Sequence, residues 1–110
     1  MQGLRFSSWS GHIWIALHHA CYQVDFKQYK SRVPDVYAGF MEYLRGLSGI
    51  LLCSKCKQEY QEYIIDHPPE LEESLFDWSI CLHNHINKKL GKTSLGRVDC
   101  LRALGIESHS

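Results

Sequence analysis

The chain has 110 residues, 45% hydrophobic and 22% charged, a composition typical of one globular domain rather than a disordered segment. Its 12 Lys and Arg residues balance 12 Asp and Glu residues, so it lacks the basic surplus of a nucleic-acid binder or a polybasic membrane-surface module. The first residues carry no apolar run of the secretory-signal kind, and no stretch approaches the roughly 20 apolar residues of a transmembrane helix. We therefore expect one soluble domain over residues 1–110, without a nucleic-acid or membrane partner.

Hydrophobic periodicity predicts an all-α fold, because no alternating strand pattern is sustained anywhere in the chain. Pro34 suits a first helical turn, and Gly91 suits the residue that follows the end of a helix. The predicted helices cover, in chain order, residues 10–24, 34–47, 53–66, 71–90 and 98–104. The expected architecture is a four-helix bundle with a short fifth helix.

The cysteines indicate redox chemistry or metal binding rather than a purely structural disulfide framework. They are Cys21, Cys53, Cys56, Cys81 and Cys100, an odd number. Only Cys53 and Cys56 are close in sequence, and they open the third predicted helix, where the partial positive charge of the helix N-terminus favours a thiolate. A two-residue spacer also suits a reversible disulfide. Half of a zinc site and an incidental pair are the alternatives, although the one-residue spacing of His83 and His85 is shorter than in common zinc patterns.

The fourth predicted helix places polar side chains within an apolar face. At ~100° per residue, one face carries Phe76, Ile80, His83, Asn87 and Leu90. Asn84 lies at the edge of this face, and burying such groups is costly unless each finds a hydrogen-bond partner. Any one of them alone is best explained as a satisfied core residue. Together with the lysines that follow, which are Lys88, Lys89 and Lys92, they indicate a surface for a large anionic ligand such as an adenine-and-pyrophosphate cofactor.

The first predicted helix carries a matching feature, since Trp14, Leu17, His18 and Cys21 share one face. A lone histidine on an apolar face is more often a core residue. Two faces that combine aromatic residues with histidine, near a pair of cysteines, instead favour a cofactor pocket between helices. Cys21 is expected to be a buried thiol.

These motifs together resemble the FAD-linked sulfhydryl oxidases of the Erv/Alr type. The matching motifs, in family order, are WIALH at 14–18, CSKC at 53–56, Trp78, and HNHINKKLGK at 83–92. Trp9 and the short chain are most similar to the minimal enzymes encoded by large DNA viruses.

The resemblance implies that FAD is bound within the four-helix bundle, usually in a homodimer. By their positions in the family's motifs, the residues expected to contact FAD are Gly11, Trp14, His18, His83, Asn84, Asn87, Lys88, Leu90 and Lys92. Cys53 would exchange with substrate thiols, and Cys56 would lie against the isoalloxazine ring.

The implied activity is that of a thiol oxidase, which forms disulfides in proteins or small thiols and passes electrons to FAD and then to oxygen, giving hydrogen peroxide. The implied substrates are a thioredoxin-like carrier or viral proteins. The implied location is the host cytoplasm or virion for a viral chain, and the mitochondrial intermembrane space for a cellular one.

The chain departs from this family at its later cysteines. Many members have a structural cysteine three residues before the histidine of the H-N motif, where this chain has Ile80 and then Cys81. One helical step rotates Cys81 by ~100°, away from the face of His83. We expect a Cys81–Cys100 bridge that pins the fifth helix over the end of the fourth, with two free thiols as the alternative.

Two rival functions also fit part of the pattern. One is a zinc-stabilised helical interaction module that uses Cys53, Cys56 and two histidines. The other is a flavin-free disulfide relay protein that only exchanges disulfides. A flavin spectrum, metal analysis and oxygen consumption separate the three.

Overall fold

The computed structural model describes residues 6–50 and 54–105, and the surroundings of side chains from residue 13 onward. Within these ranges the chain forms no strand and six α-helices, which are α1 (Phe6–Phe26), α2 (Tyr29–Arg32), α3 (Pro34–Gly46), α4 (Ser54–Asp66), α5 (Leu75–Lys89) and α6 (Arg97–Ala103). The all-α prediction is confirmed, with four long helices, α1, α3, α4 and α5, and the short α6. In the described ranges, no helix has the length and apolar character needed to span a membrane.

The helices differ from the sequence-based prediction mainly in three places: α1 begins at Phe6 rather than Ser10, α5 begins later than predicted, and α2 is an additional helix. α5 begins at Leu75 rather than Leu71, because Pro69–Leu71 forms a separate 3₁₀ turn and Ser74 caps the helix by accepting a hydrogen bond from the backbone N–H of Asp77. The four-residue α2 was not predicted. A helix of one turn has no hydrophobic period from which it could be recognised.

The core lies where α1 and α5 pack against each other and against α3 and α4. α1 and α5 make the most extensive helix–helix contact in the described part of the chain. The most deeply buried core residues are Leu17, Cys21, Leu44, Tyr60, Leu82 and Ile86. Cys21 is fully buried, so its predicted place in the core is confirmed.

Both ends of α5 are fixed by hydrogen bonds. At its start, the carboxylate of Asp25 on α1 accepts the backbone N–H groups of Leu75, at 3.0 Å, and Phe76, at 2.9 Å. At its end, Gly91 has a φ of +73°, while the N–H of Lys92 donates to the C=O of Asn87 at 2.7 Å. This is a Schellman ending, with Gly91 in the predicted place. The helix that carries most of the candidate site is therefore anchored at both ends.

A smaller apolar cluster joins α5 to α6. Its buried members are Phe76, Ile80 and Cys100. Cys81, one step along α5 from Ile80, is exposed, and both Cys81 and Cys100 are free cysteines. The expected Cys81–Cys100 bridge is therefore not formed, because Ile80, rather than Cys81, belongs to the buried cluster with Cys100.

Candidate functional site

The packing of α1 against α5 brings Trp14, His18 and His83 together. The rings of Trp14 and His83 are stacked, with centroids 4.0 Å apart and planes 6° from parallel. The rings of His18 and His83 lie 5.2 Å apart, and that of Phe76 meets His18 edge-on. Trp14 and His18 are buried, whereas His83 is half-buried. The sequence predicted that these three residues would meet across two helices, and they do.

A chain of polar contacts runs through this cluster into the core. Nε2 of His18 lies 3.0 Å from Nδ1 of His83, and Nδ1 of His18 lies 2.8 Å from Oγ of Ser79. The Ser79 hydroxyl donates to the backbone C=O of Phe76 at 2.7 Å. Ser79 was missed by the sequence analysis.

Burial keeps both histidines neutral. Desolvation lowers the pKa of His18 to about 4. It also lowers the pKa of His83 to about 3, with smaller contributions from His18 and from the charge of Lys92. At neutral pH the cluster therefore presents uncharged rings, which suit stacking and hydrogen bonding rather than binding an anion.

Positive charge lies instead at the C-terminal end of α5. Lys88 and Lys92 are exposed there, and Leu90 is half-buried against the main core. Asn87 is buried, one turn beyond His83 on the same face. Lys89 is exposed as well, so the end of α5 combines an apolar lining with three exposed cations.

The side chain of Asn84 binds the backbone of the segment that follows α5. Its amide group donates to the backbone C=O of Leu95 at 2.8 Å and accepts the backbone N–H of Leu95 at 2.7 Å. These two bonds tie the segment after α5 back to the helix. Gly11 lies within α1, ahead of the residues whose surroundings are described.

Of the two cysteines in the CSKC motif, the structure describes Cys56. It is in the first turn of α4, is half-buried and packs against the main core. Cys53 lies outside the described residues.

His83 and His85 make contacts with different elements. His83 packs on α1, whereas Nε2 of His85 lies 3.0 Å from Oε1 of Glu59 on α4, beside the ring of Tyr63. The two histidines proposed as partners in a zinc site therefore do not converge. Among the described residues, no group of three or more His, Cys, Asp and Glu side chains could hold a metal ion.

Comparison with known proteins identifies the family. Residues 11–104 match the model of the Erv1 / Alr family. The chain belongs to this family. Over 90 residues it is 31% identical to the mitochondrial FAD-linked sulfhydryl oxidase ERV1 of Saccharomyces cerevisiae, a match that covers 79% of this chain and 43% of the relative. The chain thus spans less than half the length of this curated relative, and no solved structure matches it.

The Erv1/Alr match includes the residues assembled between α1 and α5 as well as both cysteines of the CSKC motif. The predicted family is confirmed. Ser79 lies in the same range, one turn before His83 on α5, and this spacing is the signal that could have revealed it. A serine on a helix face does not by itself indicate a function, so the sequence alone did not single out Ser79.

Proposed function

We propose that this chain is an FAD-dependent thiol oxidase. Its reaction would join two substrate thiols into a disulfide and reduce one molecule of oxygen to hydrogen peroxide. Cys53 and Cys56 form the redox pair in this proposal. The surface between α1 and α5 binds the cofactor.

The residues on this surface fit the chemistry of FAD. The stacked rings of Trp14 and His83 offer a flat surface beside which a planar ring system can lie, and His83 is half-buried rather than enclosed. Lys88 and Lys92 supply exposed positive charge for a pyrophosphate. Asn87 adds a buried amide on the same helix face.

Thiol exchange is the part of the reaction that the chain's own sulfurs perform. A substrate thiolate attacks Sγ of Cys53 in the Cys53–Cys56 disulfide, so that a mixed disulfide forms and Cys56 leaves as a thiolate. A second substrate thiolate then attacks the substrate sulfur of the mixed disulfide. The product disulfide is released, and Cys53 and Cys56 are both reduced, having received two electrons.

The protein's remaining task is to hold the cofactor where this dithiol can reduce it. The chemistry that FAD supplies when bound is acceptance of an electron pair and its transfer to oxygen. Trp14 and His83 would orient a ring of the cofactor, and the lysines at the end of α5 would bind its phosphates. Cys56 is half-buried and packs against the core in the first turn of α4, a position that suits the sulfur nearer the cofactor.

The observation that carries the proposal is the meeting of Trp14, His18 and His83 across α1 and α5 in a chain of this family. The experiment is an absorption spectrum of the purified protein, followed by oxygen consumption with dithiothreitol. We expect a flavin band at about 450 nm and one oxygen consumed per disulfide formed. A Cys56→Ser variant should keep the flavin band and lose oxygen consumption.

A colourless protein that takes up no added FAD would overturn the proposal. Disulfide exchange without flavin would instead favour a relay protein, and stoichiometric zinc would favour the interaction module. We further propose a homodimer, which light scattering after gel filtration would test. Its substrates would be a thioredoxin-like carrier or viral proteins, in the host cytoplasm or virion for a viral chain and in the mitochondrial intermembrane space for a cellular one.

A further inference from the structure

Ser79 occupies an unusual position in the core. It lies on α5 one turn before His83 and is 0% exposed. Its hydroxyl contacts the C=O of Phe76 and Nδ1 of His18. A fully buried hydroxyl with two polar partners can fix where the protons of its neighbours lie.

Only one arrangement of protons satisfies all these contacts. The C=O of Phe76, 2.7 Å away, can only accept, so the hydroxyl proton of Ser79 points to it. Nδ1 of His18, 2.8 Å from Oγ, must then carry its own proton and donate to Ser79.

The same reasoning extends from His18 to His83. His18 is neutral, so a proton on Nδ1 leaves its Nε2 as an acceptor. The proton of the 3.0 Å contact must therefore come from Nδ1 of His83. His83 is neutral as well, so its own Nε2 carries a lone pair. This Nε2 makes no hydrogen bond with any residue that the structure describes.

We propose that Ser79 is a positioning residue that fixes the tautomers of His18 and His83, so that Nε2 of His83 accepts a hydrogen bond from a donor group of the bound cofactor. The identity of the ligand rests on the proposed function. The relay itself, from the C=O of Phe76 through Ser79 and His18 to His83, belongs to the protein alone. Without the Ser79 hydroxyl, either histidine could donate the hydrogen bond to the other. In part of the molecules, Nε2 of His83 would then carry a proton instead of a lone pair.

The relay can be tested without cofactor. Long-range ¹H–¹⁵N correlation spectra of the histidine rings distinguish the protonated from the unprotonated nitrogen in each ring. In the wild-type protein we expect Nδ1 protonated and Nε2 unprotonated for both His18 and His83. A ring protonated at Nε2 in either residue would overturn the proposal, and this measurement requires no variant to fold.

Two variants then test the role of the hydroxyl. Ser79→Ala should give a mixture of tautomers at His83 and weaken FAD binding, measured by flavin fluorescence, about 10-fold. Ser79→Thr retains a hydroxyl and should keep the wild-type tautomers. Ser48→Ala, a matched truncation of another buried serine, should change neither. Wild-type tautomers and wild-type FAD affinity in Ser79→Ala would overturn the proposal.

The outcomes separate this inference from the proposed function. If both rings have the expected tautomers but FAD does not bind, the role of His83 toward the cofactor and the oxidase function are both overturned. If FAD binds to a protein whose histidine tautomers differ from those expected, the oxidase function stands and the inference is overturned.

Discussion

At the scale of single residues, the cysteines differ in how far a reagent can reach their sulfurs. Cys21 and Cys100 are 0% and 4% exposed, whereas Cys81 lies on the surface of α5. Burial and a neighbouring carboxylate raise the pKa of each buried thiol, through Asp25 for Cys21 and Asp99 for Cys100. Because the thiolate is the nucleophile, both should react slowly.

The first prediction follows from this difference. In the native protein, iodoacetamide should label Cys81 well before Cys21 and Cys100, as followed by peptide mass mapping. In denaturant all three should be labelled alike, which serves as the control. Labelling of native Cys21 as fast as Cys81 would show that the core around it opens readily.

The second prediction separates the roles of Cys53 and Cys56, and it is best tested in a Cys81→Ser background because Cys81 is exposed. With Cys56→Ser added, Cys53 has no resolving partner and should hold a stable mixed disulfide with glutathione after treatment with oxidised glutathione. With Cys53→Ser added, the half-buried Cys56 should form this adduct more slowly. Intact mass measures both rates, and faster adduct formation at Cys56 would reverse the assignment.

The sequence predicted the chemistry-bearing residues of the site better than their supporting neighbours. Trp14, His18 and His83 were recognisable because aromatic and imidazole side chains on an apolar helix face need an explanation. Ser79 was not, since a small hydroxyl is compatible with both core and surface. Its partners are on another helix, and only the packing of α1 against α5 shows that it meets His18.

At the scale of elements, α5 relies on a side chain from α1, in addition to its N-cap Ser74, for hydrogen bonds at its start. The carboxylate of Asp25 accepts the N–H groups of Leu75 and Phe76 and the hydroxyl of Ser74, at 2.9 to 3.1 Å. These N–H groups would otherwise lack partners in a helix start that is largely buried. The negative charge also interacts favourably with the helix dipole.

The third prediction is that Asp25→Ala lowers the free energy of unfolding by about 2 kcal/mol, since hydrogen bonds to a charged group are lost. Asp35→Ala, which removes an exposed carboxylate from the first turn of α3, should change it by only about 0.5 kcal/mol. Urea denaturation measures both variants. Equal effects would mean that the cap contributes no more than a surface charge at a helix start.

The fourth prediction concerns the tie between Asn84 and the segment after α5. Asn84→Ala should lower the free energy of unfolding by about 1–3 kcal/mol, because the N–H and C=O of Leu95 lose their partners. The loss should be present in the cofactor-free protein. Asn84→Asp keeps the acceptor for the N–H of Leu95 and should cost less. If Asn84→Ala alters only FAD affinity, Asn84 acts as a cofactor contact and not as a tie.

The helices were predictable where periodicity and end signals agree. Pro34 and Gly91 gave α3 its start and α5 its end, because each residue suits one backbone position. The predicted start of α5 was too early, because the apolar Leu71 continues the helical spacing of hydrophobic residues. In the structure Leu71 belongs to the preceding 3₁₀ turn and is 80% exposed. The Cys81–Cys100 bridge failed for a related reason, since only the packing of α6 decides which residue of α5 faces Cys100.

At the scale of the whole molecule, the contact between α1 and α5 links stability to pH. It encloses two neutral imidazoles, with pKa values of about 4 for His18 and about 3 for His83. In the unfolded chain both return to the ordinary histidine value of about 6.5. Below that pH the unfolded state therefore takes up protons that the native state cannot accept, and stability falls as pH falls.

The fifth prediction gives this effect a magnitude and a range of pH. Above about pH 7 neither His18 nor His83 contributes, and between about pH 6.5 and pH 4 each should remove roughly 1.4 kcal/mol per pH unit from the free energy of unfolding. Glu70 does not affect stability in this pH range. The hydrogen bond with Arg45 holds the pKa of Glu70 below its ordinary value, so the stability that this carboxylate contributes is lost only at lower pH. At pH 5 the wild-type protein should therefore be about 2 kcal/mol less stable per histidine than at pH 7.

Urea denaturation at a fixed FAD concentration measures this dependence of stability on pH. His83→Gln should lose about half of the slope, and the control His19→Gln, at an exposed site, should retain it. A wild-type free energy of unfolding that stays constant from pH 7 to pH 5 would mean that the two rings accept protons in the folded protein, and hence that the contact between α1 and α5 admits water.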